Sequence, residues 1–155
     1  MNRGFFLVLG FTFGLLFYSC SDEENMVVFN RSEVIRLLSN DSTKLWTRNH
    51  LFENGQLVEM EECSLRTTTS YKVRSDSMIY AISTSDQYCN TLDLLDSGLW
   101  DVLEDGSSTG RIDKIVYYSG EDTTVKKILE ITSLILRLES IQGDLQYEEI
   151  FESNY

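Results

Sequence analysis

Short turns divide most of this chain into segments too brief for long helices. After residue 43, stretches rich in β-branched, aromatic and aliphatic residues alternate with turn sequences such as Asn54-Gly55, which supplies the positive φ of a tight hairpin. No stretch has the length or period of a crossover helix, which excludes a parallel sheet. The sequence therefore predicts an antiparallel meander of eight or nine strands. The predicted strands are 44–52, 56–64, 67–73, 77–83, 98–105, 111–119, 125–131, 134–140 and 144–153.

Alternating side chains indicate how this meander folds. In segment 134–140, for example, Leu134, Leu136 and Leu138 share one face. A meander of this many strands must protect its edges, and curling into a closed barrel does so. The prediction is an all-β fold, a small antiparallel up-and-down barrel. The alternative is a two-sheet β-sandwich, whose Greek-key crossings need longer connections than these turns provide.

One short helix is predicted before the strands, in "RSEVIRLLSND" (31–41). Ser32 is the predicted cap, Asn40 and Asp41 offer a stop, and Val34 and Leu38 lie on an apolar face that also includes Ile35 and Leu37. The helix is short, so we expect it to pack against the larger β-structure.

Residues 1–19 have the pattern of an export signal. Arg3 gives a positive start, an apolar run of 15 residues follows, and the small residue Ser19 precedes Cys20. As a helix, this run would rise roughly 22 Å, less than a hydrocarbon core of about 30 Å. The segment "LLFYSC" resembles the lipobox of bacterial lipoproteins, and the acids after it resemble the start of surface lipoproteins of the Bacteroidetes. The resemblance implies lipid attachment at Cys20; the alternative is a cleaved signal with an unmodified Cys20.

These features divide the chain into a signal peptide (1–19), an acidic tether (20–30) and one barrel domain (31–155). The lipoprotein resemblance implies a membrane partner through the anchor, at the outer membrane or cell surface. The chain has 13 Lys and Arg against 25 Asp and Glu, a formal net charge of −12. Phosphate neutralisation drives nucleic-acid binding, so a nucleic-acid partner is not expected.

Two cysteines remain after Cys20, namely Cys63 and Cys89. In the oxidising compartment that export implies, paired cysteines normally form a disulfide, and we predict that these two are bonded. The runner-up is a pair of buried free thiols. Neither cysteine has a second cysteine or a histidine at ligand spacing, so no metal site or cofactor is predicted.

The order of features resembles the lipocalin-like domain of Bacteroidetes lipoproteins. The features are a tryptophan in the first strand, an Asn-Gly turn, cysteines around the next hairpin, a Gly-x-Trp strand and the late pair "ILEITSLILRLE". The resemblance covers roughly residues 31–153 and implies a lipocalin-like barrel with a small apolar ligand in its mouth. Lipocalins carry glycine two residues before the first tryptophan, where this chain has Lys44, a departure that concerns ligand binding more than fold.

If Trp46 points into the barrel, strict alternation places Arg48, His50 and Phe52 on the same face. These four are the candidate ligand-binding residues. Core filling is the competing interpretation of Trp46, and Arg48 could instead close the barrel end through backbone carbonyls. Weaker additions to the lining are Tyr80, Trp100 and Tyr117.

An enzyme is not expected. His50 is the only histidine, and no nucleophile elbow, phosphate-binding glycine loop or HExxH motif occurs. Glu61 and Glu62 are adjacent in a predicted strand, so they point to opposite faces and cannot flank one glycosidic bond. Glu59 and Glu61 share a face, as most solvated acids on a strand do.

The third functional class is an interaction module that binds a protein or glycan through its loops. Its predicted contact region is the irregular segment 85–98, in which Tyr88 and Leu94 are expected to be exposed. The alternative role for this segment is a lid over one barrel end.

Overall fold

Strands account for most of the described chain. The computed structural model describes residues 29–59, 67–85, 92–106 and 110–153. The described elements are, in chain order, α1 (Arg31–Ser39), β1 (Thr43–Glu53), β2 (Gln56–Leu57), β3 (Thr68–Val73), β4 (Met78–Ser85), β5 (Leu92–Glu104), β6 (Ile112–Ser119), β7 (Asp122–Ile131), β8 (Ile135–Gln142) and β9 (Leu145–Glu152).

Pairing between β1 and β9 closes the sheet into a barrel. Within the described residues, β1 and β3 to β9 form eight antiparallel barrel strands in sequence order, and β2 adds a short ninth strand beside β1. β1 changes neighbours along its length, because Thr43–Thr47 pair with β3 on one edge and residues from Thr47 onward pair with β9 on the other. The predicted up-and-down barrel with a short preceding helix is confirmed, and the sandwich alternative is wrong.

The Asn54-Gly55 turn has the predicted conformation. Asn54 and Gly55 have φ values of 49° and 77°, and Glu53 pairs with Gln56 across them. The strand predicted at 56–64 is much shorter, because β2 contains only Gln56–Leu57 and residues 58 and 59 are not in a strand. Residues 60–64 lie outside the described residues.

The prediction of an irregular segment at 85–98 is wrong over its described residues, because Ser85 ends β4 and 92–98 belong to β5. β5 begins at Leu92 and pairs with β4 from Ile79 to Ser85. The register shifts between Ile82 and Ser83, so Leu95 is an extra residue opposite that step. A bulge of this kind breaks the two-residue alternation by which the sequence identifies a strand.

The helix begins two residues earlier than a Ser32 cap would place it, at Arg31. Asn30 is the N-cap, and its side-chain oxygen accepts from the backbone N–H of Glu33 at 3.0 Å. The Glu33 carboxylate in turn accepts from the backbone N–H of Asn30, which completes a capping box. Ser32 donates its hydroxyl to Asn30 instead. Asn40, with φ 51°, ends the helix in the left-handed conformation, as predicted.

The helix covers one end of the barrel, which we call the helix end. Val34 and Leu38 are fully buried in the core, and α1 packs against β1, β3 and β5. The indole nitrogen of Trp46 donates to the backbone carbonyl of Leu38 at 2.9 Å. Trp46 therefore joins the barrel interior directly to the helix C-terminus.

Lys44, where lipocalins have glycine, fastens the helix to the barrel. Its ammonium donates to the carbonyls of Leu37 at 3.0 Å and Ser133 at 2.7 Å. The charge also lies 4.1 Å from the centre of the Trp46 ring. A cation is favourable at a helix C-terminus, where carbonyls without helical partners accumulate. Lys44 thus has a structural role at the helix end.

We predict that Trp46→Phe destabilises the protein more than Trp100→Phe, by about 1–2 kcal/mol in the free energy of unfolding. Both tryptophans are buried and both substitutions remove the same atoms. The Trp100 indole nitrogen has no hydrogen-bond partner among the described residues, so only Trp46→Phe leaves a buried carbonyl, that of Leu38, without its donor. Urea denaturation of the two variants measures the difference; equal losses would contradict it.

Candidate functional site

Three charged side chains meet inside the barrel near the end opposite the helix. We call them the charge cluster: Arg48 of β1, Lys126 of β7 and Glu149 of β9. Arg48 Nη1 lies 3.1 Å from Glu149 Oε1, and Lys126 Nζ is ion-paired with Glu149 Oε2. The three side chains are only 11–17% exposed.

Cross-strand pairing shows that all three side chains point inward, because paired residues share a face of the sheet. Arg48 pairs with Phe151, Lys126 pairs with Ile115, and Glu149 pairs with Leu138. Each of these apolar partners is at most 2% exposed. The cluster thus occupies positions that belong to the apolar core elsewhere in the barrel.

A pocket of about 160 Å³ adjoins the charge cluster. It lies at the far end, the barrel end bounded by Glu53, Thr68, Ser119 and Gln142. Apart from the charge cluster, its lining is one aliphatic and three polar side chains: Leu51, Ser140, Gln142 and Tyr147. Two cations and one carboxylate give the described lining of this pocket a formal charge of +1 in a protein that is otherwise strongly acidic.

The cations keep Glu149 ionised despite its burial. Desolvation by itself would raise the pKa of Glu149, but Lys126 and Arg48 outweigh it and hold the pKa below the ordinary value. Arg48 also donates from Nη2 to the hydroxyl of Thr67 at 3.1 Å. Its described partners thus include the side chains of Glu149 on β9 and of Thr67 just before β3.

A bulge in β1 separates the four residues predicted to line a ligand site. Arg48 pairs with Phe151 and His50 pairs with Ile150, so Asn49 is an extra residue. Beyond this bulge, Leu51 takes the inward position opposite Glu149, while His50 and Phe52 turn to the outer face. His50 is exposed, and its ring stacks on Phe52 with centroids 6.3 Å apart. The prediction that Trp46, Arg48, His50 and Phe52 share one face is therefore wrong.

The predicted aromatic lining residues fill the core. Trp46, Tyr80, Trp100 and Tyr117 are all at most 5% exposed. Trp100 packs edge-on against Tyr71 at 5.2 Å, and Tyr80 packs edge-on against Tyr117 at 5.0 Å. The structure thus brings Trp100, Tyr80 and Tyr117 together around Tyr71, which the sequence analysis did not single out.

Hydroxyl groups connect this aromatic core to its polar surroundings. The hydroxyls of Tyr71 and Tyr117 share a hydrogen bond, and burial raises the pKa of both phenols. Tyr80 donates to Asp96 at 2.6 Å, and burial together with this hydrogen bond raises the pKa of Tyr80 to about 12. Ser119 donates to the other oxygen of Asp96 at 2.6 Å, and with Tyr80 it lowers the pKa of that carboxyl.

Lys126 and Glu149 belong to the site but were not among the sequence candidates. Each lies two residues before a buried residue of its own strand and so shares that residue's face: Lys126 precedes Ile128, and Glu149 precedes Phe151. A charged residue at a strand position that the alternation otherwise fills with apolar residues is the signal that could have identified them.

Several predicted residues lie outside the described residues. They are the lipid attachment site Cys20, the disulfide candidates Cys63 and Cys89, Tyr88 of the predicted contact region, and the carboxylates Glu61 and Glu62. Glu59 is described and exposed. Leu94 is 62% exposed, as predicted, and the adjacent Leu95 is 61% exposed.

A second pocket lies at the helix end, with a volume of about 240 Å³. It opens between β6 and β7 beside Phe29, and its walls include Ile112, Ile128 and Ile131. In the described ranges, no group of three or more His, Cys, Asp or Glu side chains could hold a metal ion. None of the helices described is long and apolar enough to cross a membrane.

Comparison with known proteins gives no relative: no protein-family model matches the chain, and neither a curated protein nor a solved structure matches it.

We predict that Glu149→Gln lowers the free energy of unfolding by about 3 kcal/mol near neutral pH, because it leaves two partly buried cations without their carboxylate. The adjacent Glu148→Gln should cost no more than about 1 kcal/mol, since Glu148 pairs with Arg137 on the more exposed outer face.

The same pair of variants tests the pH dependence. The depressed pKa of Glu149 contributes stability above the ordinary value of 4.5, and this contribution is lost as pH falls through the lower folded pKa. The difference in free energy of unfolding between the original protein and Glu149→Gln should therefore become smaller in acid, as measured by urea denaturation at a series of pH values. A difference in free energy of unfolding that stays constant down to the pH of acid unfolding would contradict the lowered pKa of Glu149.

Proposed function

We propose that this chain is an outer-membrane or cell-surface lipoprotein, anchored through Cys20, whose barrel binds a small ligand at the far end. The observation that carries the binding function is the pocket beside the charge cluster. Buried ion pairs are expensive to desolvate and often stabilise a fold less than apolar residues of the same size would. A charge cluster that borders a pocket is therefore better explained by ligand binding than by stability.

The proposed ligand site differs from the one expected from sequence. Trp46, Trp100, Tyr80 and Tyr117 form packed core, which favours their structural role. Of the residues predicted to line a site, Arg48 is the one that borders the far-end pocket. The proposal is of a binding protein and not an enzyme, and the exposed position of His50 on the outer face supports this.

The anchor proposal is supported by the Ser19-Cys20 sequence and by the start of the folded domain. Phe29 packs against the core and the capping box at Asn30 begins α1, so residues 20–28 of the proposed acidic tether (20–30) precede the first packed residue that is described. The proposed disulfide between Cys63 and Cys89 is compatible with the neighbouring strands, because β3 and β4 pair directly, with Thr68 opposite Ser83.

A second candidate function is a tethered module that binds a protein or glycan. The exposed pair Leu94 and Leu95 favours it, since two adjacent, largely exposed leucines on a bulged strand are available for contact. This candidate needs no ligand in the far-end pocket.

We predict that the chain expressed in a Gram-negative host incorporates a labelled fatty acid and enters the detergent phase of a cloud-point separation. Cys20→Ser should lose both properties, because acyl chains are held in the membrane by about 0.8 kcal/mol per buried CH₂. Cys63→Ser serves as the matched control and should keep the label. An original protein that stays in the aqueous phase without label would contradict the anchor.

For the ligand site, we predict that native mass spectrometry of the protein purified from its own host detects a small bound molecule. Ser140→Phe should lose it, because Ser140 lines the pocket and the larger side chain fills the space. The matched control is Ser97→Phe, at an exposed position of β5, which should keep the molecule. Protein that carries no small molecule would contradict the ligand proposal and favour the Leu94–Leu95 candidate.

A further inference from the structure

We infer that the far-end pocket binds a small organic monocarboxylate, with its anionic group on Lys126 and Arg48 and its apolar body along Leu51. This inference rests on the proposed ligand-binding function and names the chemical class of the ligand. It follows from the charge balance, the hydrogen-bond donors and the volume of the pocket.

The charge balance of the pocket favours an anion. Among the described residues, Glu149 is the only carboxylate that lines it, and it faces two cations, Arg48 and Lys126. One additional negative charge would make the lining neutral. A cationic ligand would instead raise the local charge to +2 beside groups that are already largely removed from water, which is unfavourable at short distance.

Lys126 has donor capacity left for such a ligand. An ammonium group has three N–H donors. Among the described residues, Lys126 makes one hydrogen bond, to Glu149, and its charge lies 6.0 Å from the Tyr117 ring centre. Charge-assisted hydrogen bonds from the remaining donors would hold a carboxylate more strongly than a neutral hydroxyl.

The rest of the lining suits a short organic body. Leu51 offers aliphatic surface, and Ser140, Gln142 and Tyr147 offer hydrogen-bonding groups. The volume of about 160 Å³ equals about five water molecules at their liquid volume of ~30 Å³ each. A short aliphatic chain fits this space, whereas most of a long-chain lipid would have to remain outside it.

Three probes of matched size and different charge test the inference: hexanoate, 1-hexanol and hexylammonium. Each is titrated calorimetrically into the purified full chain in detergent at pH 7, with a protein-free micelle blank. We expect hexanoate to bind about tenfold more tightly than hexanol, because the charged group gains charge-assisted hydrogen bonds. Hexylammonium should bind most weakly.

Lys126→Met should remove the preference for hexanoate over hexanol. Lys127→Met is the matched control, since Lys127 is the next residue of β7 and is exposed on the outer face. It should keep the preference. If Lys126→Met does not fold, as judged by circular dichroism, the order of the three affinities on the original protein is the test of the carboxylate assignment.

The outcomes separate the inference from the proposed function. Equal binding of hexanoate and hexanol, or tighter binding of hexylammonium, would overturn the carboxylate assignment and leave a small-ligand site in place. Binding of none of the probes would overturn the carboxylate assignment. The proposed function would fail as well if the protein from its own host also carried no small molecule.

Discussion

Closure of the sheet between β1 and β9 is the constraint on which the remaining structure depends. It gives every barrel strand a neighbour on each side and creates a single interior. β1 is central to this closure because it pairs with β3 along its first half and with β9 along its second half. The residues of β1 then determine what each level of the interior contains. Trp46 lies at the level of the helix, Arg48 at the level of the charge cluster, and the bulge at Asn49 places Leu51 beside the pocket.

The interior of the barrel is divided along its axis. Toward the helix end, aromatic and aliphatic side chains pack closely, and α1 covers them with Val34 and Leu38. Toward the far end, the lining becomes polar and charged. The Tyr71–Tyr117 hydroxyl pair lies between these levels, and Lys126 stands above the Tyr117 ring. Under the proposed function, the packed end would be the scaffold and the polar end the ligand site, as in binding proteins whose rigid scaffold supports a variable mouth.

The sequence predicted the architecture well because turns and alternation are local properties. The Asn54-Gly55 hairpin and most strand positions follow from residue types within a few positions of one another. Two of the failures occur at bulges, where one extra residue reverses the facing of every side chain that follows. At Asn49 the extra residue places His50 and Phe52 on the outer face. Near Leu95 it interrupts the alternation, so the first half of β5 was not predicted as a strand. The site itself was only partly predictable: Arg48 was identified, but its pairing with Glu149 and Lys126 depends on strands 78 and 101 residues further along the chain.

The position of Phe29 determines how an anchored molecule would face its surroundings. Phe29 lies at the helix end, against Ile112 and Ile131, so the chain enters the barrel there. With an acyl group at Cys20, the part of the proposed tether that precedes Phe29, residues 20–28, could span at most about 32 Å when fully extended. The membrane attachment and the pocket would then be at opposite poles of the barrel. With the helix end turned toward the membrane, solutes that diffuse in from the medium would reach the pocket without first crossing the lipid headgroups.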